Sequence, residues 1–247
     1  MKTIGLLGGM SWESTVLYYQ LLNQGVREWL GGLHSAPLLM HSVDFAEIEH
    51  FQVTGQWQAA GRKLGEAARG LEATGADMIV LCTNLMHKVA PQIEERIGVP
   101  LLHIADAAGR AIVAQGLKKV GLLGARYTME EGFYRERLAA KFGVEVVIPD
   151  PEARERVHRV IFDELCQGRI TAAAHREYLW TIEDLRREGA EGVVLGCTEI
   201  PLLIKPEDVD LPLFNTTALH AAYALEYAFE AEAVAGEVAV KMAGAAS

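Results

Sequence analysis

An internal repeat constrains the fold of this 247-residue chain more than any other feature of its sequence. The run Ile4-Gly-Leu-Leu-Gly8 recurs 116 positions later as Val120-Gly-Leu-Leu-Gly124. Two more matches follow in the same order: Leu71-x4-Ala76-Asp77-x-Ile79-Val80-Leu81 with Leu185-x4-Ala190-Glu191-x-Val193-Val194-Leu195, 114 positions apart, and Pro100-Leu101 with Pro212-Leu213. Three matches in one order indicate a duplicated lobe.

Both halves of the chain alternate short β-rich runs with longer helical stretches. The predicted strands lie near Thr3–Leu7, Leu38–Val43, Met78–Cys82, Leu101–Ile104, Val120–Leu123, Glu145–Ile148, Gly192–Leu195 and Leu213–Phe214. Helices are predicted between them, over Ser14–Trp29, Trp57–Thr74, Met129–Lys141, Ala153–Gln167 and Ala172–Glu188. Such alternation is typical of parallel sheets with helices on both faces. We therefore predict an α/β fold of two pseudo-symmetric lobes, each a four-stranded parallel sheet flanked by helices, with the active site in the cleft between them.

The repeat also predicts how the chain divides into domains. Residues 1–114 are expected to form the N-terminal α/β lobe, and residues 115–208 the second lobe. Residues 209–230 are expected to pack back onto the first lobe. Residues 231–247 are rich in small side chains and are predicted to form a flexible tail.

The charge and apolar pattern exclude several classes of partner. The formal net charge is −10 and there is no long basic run, which argues against binding to nucleic acid or to an anionic membrane. No apolar run approaches the ~20 residues of a membrane span. The apolar run at the start of the chain is too short for a signal peptide. We therefore expect a cytoplasmic protein that acts on a small molecule.

The three cysteines, Cys82, Cys166 and Cys197, show no Cys-x-x-Cys spacing. That pattern argues against a disulfide framework and against a structural zinc site, so no metal is expected. Cys166 is predicted to be a core residue, since free cysteines are among the most buried side chains.

The repeat places two residues at equivalent points of the two lobes. Carried forward without a gap, the 114-residue offset aligns Thr83 with Cys197 and Asn84 with Thr198. Ligands of open α/β sheets gather beyond the carboxyl ends of the strands. Two lobes related by a pseudo-twofold axis would bring Thr83 and Cys197 to opposite walls of one cleft. Cys82 is one residue earlier on a strand and should point the other way.

Three turns carry candidate site residues. The first, Gly8-Gly-Met-Ser-Trp-Glu-Ser14, offers glycines and a helix start to an anion, or is simply a tight turn capped by Ser11 or Ser14. It lacks the G-x-G-x-x-G spacing of a dinucleotide site. The second, Leu81-Cys-Thr-Asn-Leu-Met-His87, has small polar residues suited to a carboxylate or ammonium group, or is a turn in which Asn84 holds its own backbone. His87 is read as a structural or surface residue.

The third turn is Gly196-Cys-Thr-Glu-Ile-Pro201. Its cysteine precedes a helix start, where a helix dipole favours the thiolate form. The alternative, a buried small apolar residue, fits less well because the neighbours of Cys197 are polar.

Together these turns resemble those of the aspartate/glutamate racemase family, in the segments Gly5-Leu-Leu-Gly-Gly-Met10, Val80-Leu-Cys-Thr-Asn84 and Leu195-Gly-Cys-Thr-Glu-Ile-Pro201. The resemblance extends from residue 1 to the region of residue 228. It implies a cofactor-independent amino-acid racemase without pyridoxal phosphate. It further implies two lobes, two catalytic cysteines facing each other across the substrate Cα, and a homodimer.

The chain departs from the family pattern at three places. Thr83 stands where the family usually has its first catalytic cysteine, directly before the asparagine. Leu85 replaces a Ser or Thr that supplies a side-chain hydroxyl, so only a backbone contact to substrate is expected there. No arginine follows the second strand to hold a substrate side-chain carboxylate, and Gln52 is our candidate for a neutral replacement.

The resemblance assigns roles to the remaining site residues. Cys197 is the main base and Thr83 is the group on the other face, so the enzyme is expected to favour one enantiomer. The substrate is an amino acid, with acidic ones favoured. Its carbanionic intermediate and its charged groups are expected to be bound by these residues, through side chains or backbone N–H groups: Met10, Gln52, Asn84, Leu85, Thr198 and Glu199.

Two other functions remain open at this point. One is a related cofactor-independent decarboxylase or cis-trans isomerase of small dicarboxylates, for which one acid/base residue and a hydroxyl suffice. The other is a non-catalytic protein that binds a small molecule, which the loss of the first cysteine would favour.

Overall fold

The computed structural model describes residues 1–229, which divide into two compact units. The first unit contains Met1–Ile104 together with residues 217–229, and the second contains Ala105–Thr216. Each unit is built on its own four-stranded parallel sheet.

In the first unit one or two helices separate each strand from the next. They are β1 (Ile4–Gly8), α1 (Trp12–Leu30), β2 (Leu38–Ser42), α2 (Phe45–Val53), α3 (Trp57–Ala73), β3 (Met78–Leu81), a 3-10 helix (Leu85–Val89), α4 (Ala90–Glu94) and β4 (Leu101–Leu102). The strands lie side by side in the order β2-β1-β3-β4.

The rest of the described chain repeats this plan. Its elements are α5 (Ile104–Ala114), β5 (Lys119–Gly124), α6 (Arg126–Glu130), α7 (Gly132–Phe142), β6 (Glu145–Val147), α8 (Pro151–Asp163), a 3-10 helix (Leu165–Gln167), α9 (Ala172–Arg187), β7 (Val193–Gly196), α10 (Ile200–Leu203), a 3-10 helix (Pro206–Asp208), β8 (Leu213–Asn215) and α11 (Thr216–Phe229). The sheet order is β6-β5-β7-β8, which is the order of the first sheet. The predicted α/β fold with two four-stranded parallel sheets is confirmed.

The strand register agrees with the sequence repeat. At the centre of the first sheet Leu7 pairs with Leu81, and at the centre of the second Leu123 pairs with Leu195. Both pairings are parallel, so the carboxyl ends of the two central strands lie at one edge of each sheet. The turns that follow β3 and β7 therefore start from equivalent positions.

Apolar residues on alternate positions bury both faces of the first sheet. Ile79 and Leu81 of β3 pack into one cluster with Leu64 of α3, whereas Met78 and Val80 pack into another with residues of α1 and α11. All of these side chains are fully buried. Each is expected to contribute about 1.5–3 kcal/mol of transfer free energy, so the central strand is held firmly between two cores.

In the second unit a cluster on one face of the sheet joins Leu123, Val193 and Leu195 to residues of α8 and α9. Cys166, which we predicted in this core, is exposed, whereas its neighbour Leu165 is buried in the cluster. The two residues lie in a short 3-10 helix, so only one of them faces inward. Among the helices of residues 1–229, none has the length and apolar character needed to cross a membrane.

The division into units differs from the predicted one at both boundaries. Helix α5 belongs to the second unit, where Asp106 accepts hydrogen bonds from Arg137 and Lys141 of α7. Residues 209–216 also belong to the second unit, because β8 pairs with β7. Only α11 returns to the first unit, where Ala224 and Leu225 join the core and the Ala228 carbonyl accepts from Lys2 N–H. The predicted tail, residues 231–247, lies outside the described residues.

The turn between β1 and α1 is held by close backbone contact and by capping. Gly9 has φ +93°, and a Cβ added to it would lie 2.2 Å from the Val43 carbonyl oxygen. Its N–H donates to Thr15 Oγ1 at 2.8 Å. Ser11 is the helix cap, since its Oγ accepts from Ser14 N–H at 3.3 Å. This turn therefore requires glycine for two independent reasons, its backbone conformation and its contact with Val43.

We predict that Gly9→Ala destabilises the protein more than Gly75→Ala. Gly75 has a similar φ of +105°, but an added Cβ would meet nothing within 4 Å. Gly75→Ala should therefore cost about 1 kcal/mol for the strained φ alone. Gly9→Ala should cost about 3 kcal/mol or more, because the new methyl group also clashes with backbone atoms. If urea unfolding shows an equal loss of unfolding free energy in the two variants, the backbone near Val43 shifts to accommodate the added methyl group at no cost.

Candidate functional site

The turn after β3 places Thr83 at the carboxyl edge of the first sheet. Thr83 N–H donates to the Leu81 carbonyl at 2.9 Å, which folds the chain sharply as the strand ends. The Thr83 side chain is partly buried, Asn84 is buried, and Leu85 is partly buried against the apolar cluster of α2 and α3. The backbone then enters the 3-10 helix Leu85–Val89.

Cys82 lies on the other face of the same strand end. Its side chain is fully buried in the cluster that includes Tyr18 and Leu22 of α1, and its Sγ lies 3.6 Å from the Val80 carbonyl oxygen. Burial raises the pKa of the Cys82 thiol far above its usual range, because the core disfavours a thiolate. Cys82 is therefore a structural residue in this fold.

Two further predicted residues of the first unit lie close to the Thr83 turn. Gln52 of α2 places its Nε2 3.1 Å from the Sδ of Met86, three residues beyond Thr83. Met10 of the first turn packs in the same buried cluster as Met86. The structure thus brings Met10, Gln52 and the Thr83 turn together at one end of the first sheet.

The turn after β7 carries Cys197, Thr198 and Glu199, which are all partly buried. One oxygen of the Glu199 carboxylate, Oε2, accepts a hydrogen bond from Cys197 Sγ at 2.9 Å and another from Thr198 Oγ1 at 2.7 Å. A thiol that donates to a carboxylate at this distance has a proton acceptor already in place. Glu199 was predicted from the sequence to bind the substrate, but its contact with the Cys197 thiol was not predicted.

The charge state of Cys197 differs from the predicted one. Burial first, and then the charge of Glu199 and its hydrogen bond, raise the pKa of Cys197 well above its usual value. The helix whose dipole was expected to favour the thiolate, α10, is only four residues long. Burial and the Glu199 carboxylate both favour the thiol form of Cys197 over the thiolate.

His87 was predicted from the sequence to be either a structural or a surface residue, and in the structure it agrees with the structural alternative. It is buried, and its Nδ1 lies 2.8 Å from the carbonyl oxygen of Thr83. The only signal in the sequence was its position four residues beyond Thr83, within one turn of a helix. That spacing alone does not distinguish a surface histidine from one that bonds to the turn.

The family model of Asp/Glu/Hydantoin racemase matches residues 7–224. The chain belongs to this family. The match includes both sheets and both turns, and it confirms the resemblance of the three sequence motifs.

Curated relatives of the family align with part of their length. The glutamate racemase of Thermus thermophilus is 26% identical over 176 residues, which is 69% of this chain and 60% of that protein. The broad specificity amino-acid racemase RacX of Bacillus subtilis is 25% identical over 154 residues, which is 62% of this chain and 65% of that protein. The chain thus spans less than two thirds of these relatives.

Solved structures of the family are similar over nearly the whole chain. A Yersinia pestis protein, provisionally described as an Asp/Glu racemase, has 53% sequence identity and a TM-score of 0.90, covering 93% of this chain and 100% of that chain. An aspartate racemase homologue from Pyrococcus horikoshii has 37% identity and a TM-score of 0.82, with 92% and 99% covered. Glutamate racemase from Francisella tularensis, at 14% identity and TM-score 0.66 over 94% and 82%, is similar in fold.

We predict that Glu199→Gln makes Cys197 react faster with iodoacetamide at neutral pH. The neutral amide removes the carboxylate charge that raises the pKa of Cys197, so the pKa should fall and the thiolate fraction at a given pH should rise. The measurement is the alkylation rate of the Cys197 peptide by mass spectrometry over a range of pH.

This experiment needs a Cys166→Ser background, because Cys166 is exposed and would compete for the reagent. Buried Cys82 is an internal control and should stay unmodified in the folded protein. An unchanged or slower rate in the Glu199→Gln variant would contradict the electrostatic role of Glu199.

Proposed function

We propose that the protein is a cofactor-independent amino-acid racemase in which Cys197 is the main base. The observation that carries the proposal is the short hydrogen bond from the Cys197 thiol to the Glu199 carboxylate, in a turn that a racemase family model covers. Family membership supports the reaction class, and the hydrogen bond supports a route by which this thiol loses its proton.

The proposed first step is proton removal from the substrate Cα. The Cys197 proton moves to Glu199 Oε2, which leaves a thiolate beside a neutral carboxylic acid. The thiolate then takes the Cα proton and becomes a thiol again, and the electron pair stays on the substrate as a carbanion. The thiol and the carboxylate that exchange the first proton are in direct contact, which is the geometry that general acid-base catalysis requires.

Thr83 is proposed to act on the other face of the carbanion. A threonine hydroxyl is a far weaker acid than a thiol, so it either relays a proton through water or positions the substrate. The two faces are therefore chemically unequal. We propose that the enzyme removes the Cα proton readily from the enantiomer that presents it to Cys197, and poorly from the other.

The carbanion needs hydrogen-bond donors that are already oriented. We propose that Asn84 and Thr198 contribute their side chains, and that backbone N–H groups near Met10 and Leu85 contribute as well. Glu199 has one carboxylate for both the thiol and the substrate ammonium group. We propose that the charged carboxylate first binds the substrate ammonium group next to Cys197, and that this contact is released when Glu199 accepts the thiol proton.

The proposed substrate is an amino acid, with aspartate or glutamate favoured. The curated relatives are named glutamate racemases or a broad specificity amino-acid racemase, and one solved relative is called an aspartate racemase homologue. Gln52, next to the Thr83 turn, offers a neutral donor to a side-chain carboxylate. A neutral donor binds a carboxylate less strongly than an arginine does, so a moderate preference for acidic substrates is expected.

We predict unequal isotope exchange from the two enantiomers in heavy water. Each enantiomer of aspartate, glutamate and several neutral amino acids is incubated with the enzyme, and deuterium at Cα is followed by NMR. One enantiomer should exchange at least about tenfold faster, because a thiolate and a threonine hydroxyl differ greatly in basicity. Equal exchange from both enantiomers would contradict the asymmetric mechanism.

Variants of the cysteines provide the controls. Cys197→Ala should abolish exchange, whereas Cys82→Ala should spare most of it, because the Cys82 thiol is buried in the core. Loss of exchange in Cys82→Ala, with exchange retained in Cys197→Ala, would identify Cys82 as the base. Two other results would identify the alternative functions. Turnover of malonates or maleate would identify a decarboxylase or an isomerase. Thermal stabilisation by amino acids without any isotope exchange would identify a binding protein.

The proposal includes a cytoplasmic homodimer. The cytoplasm keeps thiols such as Cys197 reduced. On α1, Trp12, Val16 and Tyr19 are exposed at spacings of four and three residues, so they share one face of the helix. Tryptophan and tyrosine are enriched at protein interfaces, and we propose that this face meets a second copy.

We predict a mass of twice 27.0 kDa in size-exclusion chromatography with light scattering. Tyr19→Asp should shift the equilibrium toward the monomer, because a carboxylate would be desolvated in the interface. Glu28→Gln, at an exposed position on the same helix, is the matched control and should leave the mass unchanged. A monomeric wild-type protein would contradict the proposed homodimer.

A further inference from the structure

We propose that His87 is a positioning residue for Thr83, and that it holds the turn through a neutral imidazole with its proton on Nδ1. This inference rests on the proposed function, in which Thr83 acts on one face of the substrate. It assigns a specific role to a residue that the sequence indicated only as structural or surface-exposed.

One side of the His87 ring holds the Thr83 backbone. Nδ1 lies 2.8 Å from the carbonyl oxygen of Thr83, and the His87 backbone N–H donates to the Asn84 carbonyl at 3.2 Å. A carbonyl oxygen only accepts hydrogen bonds, so Nδ1 must carry a proton. The residue therefore donates to the two residues at the centre of the turn, once from its ring and once from its backbone.

The other side of the ring accepts a hydrogen bond. The backbone N–H of Ile104 donates to Nε2 at 3.2 Å, at the point where β4 leads into α5. A ring nitrogen that accepts from an N–H carries no proton of its own. Both contacts together require the neutral ring, since an imidazolium would place an N–H opposite the Ile104 N–H.

Aromatic neighbours hold the ring in this orientation. The ring centroids of His103 and His220 lie 4.5 Å and 5.6 Å from that of His87, and all three side chains are buried. His220 is fixed in turn, with Nε2 2.6 Å from the Leu102 carbonyl oxygen and Nδ1 2.8 Å from the hydroxyl of Tyr18. His87 therefore has little freedom to move away from the Thr83 turn.

The effect of His87 should fall on the Thr83 step alone. A weakly acidic hydroxyl acts only when it is accurately placed, and displacement by about 1 Å costs up to ~100-fold in rate. The Cys197 thiol has its own hydrogen-bond partner in Glu199. Loss of the His87 contact should therefore impair inversion and spare exchange at the Cys197 face.

The ratio of inverted to retained product measures the Thr83 step relative to the Cys197 step. Starting in heavy water from the enantiomer that Cys197 deprotonates, deuterium returned from the Cys197 face gives labelled starting enantiomer. Deuterium delivered from the Thr83 face gives the labelled mirror image. The initial ratio of inverted to retained product is set within each active molecule, so it does not depend on how much of a variant is folded.

His87→Asn and His87→Gln form a matched pair for this test. The Asn side chain places its amide N–H near the position of Nδ1 and keeps the bond to Thr83, whereas the Gln side chain reaches the position of Nε2 and keeps the bond from Ile104. We expect His87→Asn to stay within about threefold of the wild-type ratio. His87→Gln should lower it by about tenfold or more. Equal ratios in the two variants, or a lower ratio in His87→Asn, overturn the proposal.

A second measurement uses the wild-type protein and does not depend on the folding of any variant. Nitrogen-15 NMR of labelled enzyme reports which ring nitrogen of His87 carries the proton. Protonation of Nδ1 alone supports the proposal, whereas an Nε2–H tautomer or an imidazolium at neutral pH overturns it. A wild-type enzyme that shows neither exchange nor inversion contradicts the proposed function itself, which separates the two failures.

Discussion

Parallel pairing at the centre of each sheet is the interaction on which both candidate turns depend. Leu7 with Leu81 and Leu123 with Leu195 end the central strands at the carboxyl edge of their sheets, where parallel strands leave their ligand-binding loops. Cores on both faces hold the central strand of the first sheet, so that Cys82 is directed into the core while Thr83 begins the turn. A shift of one residue would exchange these two positions and remove the hydroxyl from the site.

The two turns are equivalent in topology but differ in the groups that hold them. Neutral hydrogen bonds from a buried histidine hold the Thr83 turn, and they involve no charge. A carboxylate holds the Cys197 turn, and it accepts from both the thiol and a neighbouring hydroxyl. A buried thiol beside a carboxylate resists ionisation, yet the same carboxylate is the group that can receive its proton. In the proposed mechanism, this one arrangement gives both the resting thiol and the reactive base.

Much of the fold and some of the site could be predicted from local pattern. Strand and helix periods identified the two sheets, and the repeat set the offset between Thr83 and Cys197 without any structure. The exposure of Cys166 was predicted wrongly, because a short 3-10 helix gives no clear apolar period. The charge state of Cys197 was also predicted wrongly, because α10 is short and the Glu199 side chain folds back onto the thiol.

The sequence by itself determined the duplicated α/β pattern and the equivalence of the turns that carry Thr83 and Cys197, because these follow from periodicity and spacing along the chain. Only the tertiary structure decided which helix packs on which sheet, so that α5 joins the second unit and α11 returns to the first. It also decided that the His87 ring lies against Ile104, since contacts between residues distant in sequence depend on how the elements pack. The candidate site residues were predicted from the sequence, whereas the hydrogen bonds and burial that shift the pKa of Cys197 required the fold.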